Sequence, residues 1–307
     1  MTISFSGVKK SFGNQLVLDG VTDEVPDGSL TALLGPSGSG KSTLLKIIAG
    51  LESLDAGAVA LNGRDVTGVA ARYRNIGFCF QDYAPFNQLS VFENVAYGLR
   101  ARKQSKAVIN QKVTDLLGLV RLEDFATRYP RQLSGGQRQR MALARALAIE
   151  PEVLLLDEPF AALDAQVGGE LRMWVRSLQR ELGMTTILVT HNQSEAMEIA
   201  DRLVIFNEGR IEQVGTPSEV YDKPANDFVY SFLGPSTTLN NVTYRPHDLT
   251  IRLGGPGVVK DITRLGFEVR ITVNTNGVDS WAQLTHDEDL RFGVSVGDSV
   301  TLAPRAC

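Results

Sequence analysis

The sequence predicts an α/β fold on a largely parallel sheet, followed by a small C-terminal β domain. Three observations predict it. Apolar runs of strand length, such as Val153-Leu154-Leu155-Leu156 and Thr185-Thr186-Ile187-Leu188-Val189-Thr190, alternate with segments of helical periodicity, as expected of strands buried on both faces between helices. A glycine-rich loop at residues 35–43 joins one apolar run, residues 30–34, to an apolar helical pattern at Leu44, Leu45, Ile47 and Ile48. Near Gly234-Pro235-Ser236 the texture changes to short alternating segments separated by Gly, Asn and Asp turns, the signature of a β domain.

Along the chain, Ile3, Phe5 and Val8, then Val17, Leu18 and Val21 before the Pro26-Asp27-Gly28 turn, predict two opening strands. After the loop and its helix, strands are predicted at residues 58–61 and 76–80. Val91, Val95 and Leu99, then Val113, Leu116 and Leu117, predict a helical insert. Residues 138–149 form a further Ala/Leu-rich helix with frequent Arg, ended by Pro151. The strand at residues 153–156 follows, then a helix near residues 170–182, a strand at 185–190, a helix near 193–200 and a strand at 203–206. The predicted division is residues 1–235, with a helical subdomain at about 88–150, and residues 236–307.

The 307 residues allow about two domains. No apolar run approaches the roughly 18 residues of a spanning helix, and the N-terminus lacks a signal-peptide pattern, so the chain is expected to remain in the cytosol. A formal charge of −4 gives no global basic excess, which argues against a dedicated nucleic-acid binder. Two cysteines are too few for a disulfide framework. Cys79 reads as a small buried hydrophobe, and Cys307 receives no role.

Three segments carry chemistry. Gly35-Pro36-Ser37-Gly38-Ser39-Gly40-Lys41-Ser42-Thr43 is a G-x-x-x-x-G-K-[ST] phosphate cradle in its strand-loop-helix setting. Its glycines let backbone N–H groups turn toward phosphate, Lys41 neutralises phosphate charge, and the Ser42 hydroxyl is placed for Mg²⁺. Val153-Leu154-Leu155-Leu156-Asp157-Glu158-Pro159 delivers Asp157 as a metal carboxylate and Glu158 to polarise the water attacking the γ-phosphate. Leu133-Ser134-Gly135-Gly136-Gln137 precedes a helix and offers free N–H groups to a second anion. One chain already has a complete phosphate loop, so that second site points to another copy's nucleotide.

In order and spacing, these segments resemble those of the ATP-binding-cassette (ABC) transporter ATPases over about residues 1–235. The resemblance implies a P-loop ABC ATPase domain with a helical insert. It also implies roles for single residues: Gln81 reaches the metal and the attacking water, His191 contacts the γ-phosphate, Asp164 lies in a segment crossing between subunits, and Phe12, 29 residues before Lys41, stacks on adenine. Phe12 stands where tyrosine is commoner, Asn192 where aspartate is usual, and Ala161-Ala162 where Gly-Ala is frequent. The implied assembly is a homodimer, each ATP held between the Lys41 loop of one copy and Ser134, Gly135, Gly136 and Gln137 of the other. Two integral membrane permease subunits and a substrate-binding protein would complete it at the cytoplasmic face of the plasma membrane, without nucleic acid. The stretch 81–89 and the helical insert resemble the surface that receives a permease coupling helix.

Tyr244-Arg245-Pro246-His247-Asp248 and Leu265-Gly266-Phe267-Glu268-Val269-Arg270 resemble the oligonucleotide-fold-like β domain of importer ATPases. With Gln213-Val214-Gly215-Thr216-Pro217 and Phe228-Val229-Tyr230-Ser231-Phe232-Leu233-Gly234, the pattern is most similar to sulfate/thiosulfate importer ATPases. Molybdate, sugar, polyamine and iron importer ATPases share most of these motifs. A soluble ABC clamp on nucleic acid or ribosomes, and a regulator without turnover, are the remaining alternatives.

Overall fold

The computed structural model describes residues 1–305 except Ala162 and Asp164; Asp164, Ala162 and Cys307, singled out above, lie outside the described residues. The chain divides into two units, Met1–Ala225 and Asn226–Cys307. The first contains β1 (Ile3–Phe12), β2 (Gln15–Val25), β3 (Leu30–Leu34), α1 (Lys41–Ala49), β4 (Ala56–Leu61), β5 (Arg64–Asp65), β6 (Ile76–Cys79), α2 (Val91–Ala101), α3 (Lys106–Leu119), α4 (Gly135–Leu147), β7 (Val153–Asp157), α5 (Ala165–Leu182), β8 (Thr185–Thr190), α6 (Gln193–Ile199), β9 (Arg202–Asn207), β10 (Arg210–Gly215) and α7 (Pro217–Asp222).

Two sheets organise this unit. One is antiparallel, in the order β2-β1-β4-β5; the other runs β10-β9-β3-β8-β7-β6. Its five strands from β9 to β6 are mutually parallel, and β10 closes the edge antiparallel to β9. Every residue of β3, β7 and β8 is buried, which is why these strands read as unbroken apolar runs. Leu44, Leu45, Ile47 and Ile48 of α1 share one core with Ile3, Phe5 and Val59 of the antiparallel sheet and with Leu33, Leu155 and Val189 of the parallel one. The broad apolar face formed by Leu44, Leu45, Ile47, Ile48 and Ala49 is the sequence consequence of that position between sheets, and Lys46 is left exposed on the opposite side.

The predicted insert is two helices, because Ser90 begins one with a capping box to Glu93 and Ser105 caps the next. α2, α3 and α4 bury Val95, Leu99, Val113, Leu117, Met141 and Ala144 in a separate cluster. α4 begins at Gly135 rather than near residue 138, so the two glycines lie in its first turn instead of ahead of it. Glycine's low helix propensity hid that start.

The C-terminus of α1 is held by a buried cation. Arg74 donates to the carbonyls of Ile47 and Ile48 at 2.9 Å each, to Val69 at 2.7 Å and to Thr67 at 3.3 Å. Burial lowers its pKa, opposed by the charge of Asp65. Arg74→Met strips a positive charge from the helix's negative end and leaves four carbonyls without this donor. The expected loss is about 3 kcal/mol of stability, read as a lower urea midpoint with an unchanged slope; an unchanged midpoint would remove Arg74 from this account.

The second unit contains α8 (Asp227–Phe232), β11 (Thr237–Leu239), β12 (Val242–Tyr244), β13 (Leu249–Arg264), β14 (Glu268–Thr275), β15 (Val278–Thr285), α9 (His286–Phe292) and β16 (Ser299–Pro304). β11 and β12 form a hairpin, and the main sheet is antiparallel in the order β15-β14-β13-β16. Leu249, Ile251, Val269, Ile271, Leu284 and Val300 fill its core. α9 was not foreseen in a segment read as all β. Its apolar pattern is short, and the signal present is the Thr285/Glu288 capping box.

Candidate functional site

Four adjacent parallel strands, β3, β8, β7 and β6, end on one edge of the sheet. The chain leaving β3 becomes the 35–43 loop, β8 leads to His191, β7 ends in Asp157 before Glu158, and β6 leads to Gln81. The pairings Leu34↔Thr190 and Asp157↔Val189 keep those ends level. Segments more than a hundred residues apart therefore meet where open α/β sheets place ligands.

The loop's glycines answer steric demands. A Cβ at Gly35 would collide with the Phe206 carbonyl of β9. Gly40 has φ 99°, and a Cβ there would stand 2.7 Å from both the Val17 carbonyl oxygen and a Leu18 methyl. Lys41, 4% exposed, donates to the carbonyls of Gly35 at 2.9 Å and Pro36 at 2.7 Å and to Ser39 Oγ at 3.2 Å. Its ammonium is thus folded back over the loop it serves. Burial lowers its pKa, while the carboxylates of Glu158 and Asp157 oppose that shift.

Ser42 Oγ donates to Asp157 Oδ1 at 2.6 Å, so the hydroxyl and the strand-end carboxylate form one oxygen cluster. Burial raises the Asp157 pKa despite that hydrogen bond. A desolvated carboxylate beside a hydroxyl is an arrangement that a divalent cation would complete. Beyond it, Glu158 is held from two sides: Gln81 Nε2 donates to Oε2 at 3.3 Å, and His191 Nδ1 lies 3.2 Å from Oε1. Glu158 has φ 45°, rare for a residue with a side chain, and its N–H is fixed by the Val189 carbonyl at 3.0 Å.

Phe12, Gly38, Lys41, Gln81, Glu158 and His191 line a single cleft of about 640 Å³, which also takes in Gln15 and Val17. Phe12 is 49% exposed and presents a ring face that Lys10 approaches to 5.0 Å. Asn192, whose identity differs from the usual aspartate, caps α6 by accepting from Glu195 N at 3.3 Å, so the amide retains the capping function.

Among the described residues, Ser134, Gly135, Gly136 and Gln137 do not line this cleft. Ser134 Oγ accepts from Gln137 N at 3.3 Å, and Gln137 Oε1 accepts from Ser134 N at 2.9 Å. Ser134 is exposed, and Gly136 is packed against Val167. The α4 N-terminus is therefore a capped, exposed helix start that does not line the cleft of the chain's own phosphate loop.

Sequence reasoning missed the side chains that carry the Gln81 loop. Asn94, fully buried, accepts from Phe86 N at 2.9 Å and donates to the carbonyls of Phe86, Leu89 and Ser90. Arg145 grips two further carbonyls of that loop. The only sequence signal was the recurrence of Arg in α4. Cys79 is buried, with its thiol pKa pushed up to about 12 by desolvation.

A phosphate loop, a strand-end acidic pair and a second capped helix start on a helical insert define an ATP-binding cassette of the P-loop ATPases. The chain matches the ABC transporter family over residues 18–161, and it belongs to the ATP-binding subunits of that family. It is 52% identical to the sulfate/thiosulfate import ATP-binding protein CysA of Nocardia farcinica, over 97% of this chain and 96% of the relative. It is 48% identical to CysA of Pseudomonas putida, over 99% of this chain and 98% of the relative. Among solved structures it is similar to a dimeric post-hydrolysis state of the cassette MJ0796 bound to ADP and Pi, with a TM-score of 0.64 and 31% identity over 70% of this chain and 98% of that one.

Proposed function

We propose that this chain is the ATP-hydrolysing subunit of a sulfate/thiosulfate importer, working as a homodimer bound peripherally to two membrane permease subunits that meet a substrate-binding protein. The observation that carries the reading is the full-length similarity to sulfate/thiosulfate import ATP-binding proteins. No helix among the described residues is long and apolar enough to cross a membrane, so the passage itself is assigned to the permease. A groove of about 410 Å³ lined by Phe78, Phe80, Ala84, Phe86, Tyr97 and Ile149 joins the 81–89 stretch to the helical insert, and it is the surface assigned to a permease coupling helix.

In this reading Phe12 stacks on adenine, the 35–43 N–H groups and Lys41 hold the phosphates, and Glu158 accepts the proton of the attacking water. The water oxygen bonds to the γ-phosphorus as its bond to the β–γ bridging oxygen breaks, and ADP leaves. Gln81 and His191, already on the two Glu158 oxygens, orient the water and contact the γ-phosphate. Mg²⁺, held by Ser42, Asp157 and Gln81, would supply neutralisation of phosphate charge. Ser134, Gly135, Gly136 and Gln137 of each copy meet the γ-phosphate held by the other, so binding closes the dimer and hydrolysis opens it.

The test is ATP hydrolysis in vesicles holding this subunit with its permease, each solute presented by its binding protein. Sulfate and thiosulfate are expected to raise turnover several-fold, and molybdate and maltose to leave it at the basal rate. Stimulation by a sugar alone would overturn the oxyanion assignment.

A further inference from the structure

From the Ser134 cap to Arg145 in its last turn, α4 spans eleven residues, or about 16 Å at about 1.5 Å per residue. There Arg145 donates through Nη1 to the Ala84 carbonyl and through Nη2 to the Tyr83 carbonyl, both at 2.6 Å. Tyr83 and Ala84 follow Gln81 closely and have φ 60° and 37°, a left-handed pair that side-chain-bearing residues adopt only when the surroundings hold it. The guanidinium also lies 5.2 Å from the Phe86 ring centroid, and that ring packs 4.3 Å from Tyr97 of α2. A two-pronged donor on consecutive carbonyls fixes orientation as well as distance, which a lysine ammonium does not do.

Tyr83 extends the connection. Its side chain is 5% exposed, and its hydroxyl makes a long hydrogen bond of 3.5 Å to the Pro159 carbonyl, one residue past Glu158. Burial raises the phenol's pKa, keeping the hydroxyl a donor. From α4, one path thus reaches Gln81 through the backbone and the Glu158 turn through Tyr83.

We propose that Arg145, with Tyr83, is a positioning residue for Gln81 and Glu158, through which α4 sets this chain's own catalytic pair according to whether the α4 N-terminus holds the partner copy's nucleotide. The proposal rests on the crossed-dimer reading above. α4 is the lever because its two ends serve two sites: Ser134, Gly135, Gly136 and Gln137 at one, the Arg145 fork at the other. Withdrawal of α4 draws the Tyr83-Ala84 backbone away from β7 and loosens the Gln81 contact with Glu158.

The test uses the assembled transporter with Arg145→Lys, which keeps the charge but not the fork, and Tyr83→Phe, which removes only the hydroxyl. For Arg145→Lys, kcat is expected to fall about tenfold, with ATP Kd unchanged and the sigmoidal dependence on ATP flattened. For Tyr83→Phe, kcat is expected to fall about threefold with the same split. A folded Arg145→Lys protein with wild-type kcat and wild-type sigmoidal response overturns the proposal. So does a lower thermal midpoint with kcat preserved at saturating ATP in both variants, the mark of a purely structural contact. Glu158→Gln run alongside separates the two levels: undiminished turnover there sinks the catalytic reading itself, while an inactive Glu158→Gln beside an unaffected Arg145→Lys sinks only the lever.

Discussion

Glu158→Gln is expected to lower steady-state ATP hydrolysis by about a thousandfold, within the range a general base contributes, while ATP still binds and closes the dimer. The side chain stands at the end of a fully buried strand, with its N–H fixed by Val189 and its carboxylate between Gln81 and His191. The amide has nearly the same shape and retains an oxygen for one of those neighbours. It loses the basic oxygen that would take the proton from water. The substitution leaves the 35–43 loop and Lys41, to which the phosphate contacts are assigned, untouched, so nucleotide affinity is expected within about threefold of wild type, a difference below about 1 kcal/mol. Phosphate release measured in steady state, with sedimentation in ATP, separates the two steps. Turnover within tenfold of wild type, or a variant that stays monomeric with ATP beside its permease, contradicts the assignment.

The parts of the site legible in the sequence are those whose chemistry is local. The 35–43 loop carries its glycines, Lys41 and Ser42 in one stretch, and its strand-loop-helix context follows from apolar runs on either side. Asp157 and Glu158 were legible because β7 is buried on both faces, leaving an unbroken apolar run that stops at two acids. Gln81 and His191 carry no local signature; their placement came from resemblance, and their position beside Glu158 depends on the order β3-β8-β7-β6, which periodicity does not encode. The Arg145 fork spans 61 residues of sequence to Ala84, and Arg74 reaches back 27 residues to Ile47. Such contacts are invisible to patterns read within one helix or strand, and an arginine's charge says nothing of its burial. α9 and the start of α4 were missed for a different reason: a short apolar pattern in one and two glycines in the other masked real capping boxes.

Lys41→Met is expected to weaken ATP binding by at least about a hundredfold. The ammonium donates to two loop carbonyls and to Ser39, so the loop's curvature and the charge are built together, and the same three protons are available to phosphate oxygens when nucleotide enters. Charge-assisted hydrogen bonds contribute about 1.5–3 kcal/mol each; losing two to phosphate corresponds to about two to four decades in Kd. Stability should move far less and not necessarily downward. Burial already lowers the Lys41 pKa, meaning the free protein bears an unfavourable desolvation of that charge, and methionine replaces it with an apolar chain of similar length. The discriminating experiment is titration calorimetry with ATP paired with a urea melt on the same preparation. Weak binding with a near-native midpoint places the effect at the phosphates, since the loop still folds. A matching fall in both would make Lys41 a structural tie of the loop, and an affinity within fivefold of wild type would contradict its phosphate role altogether.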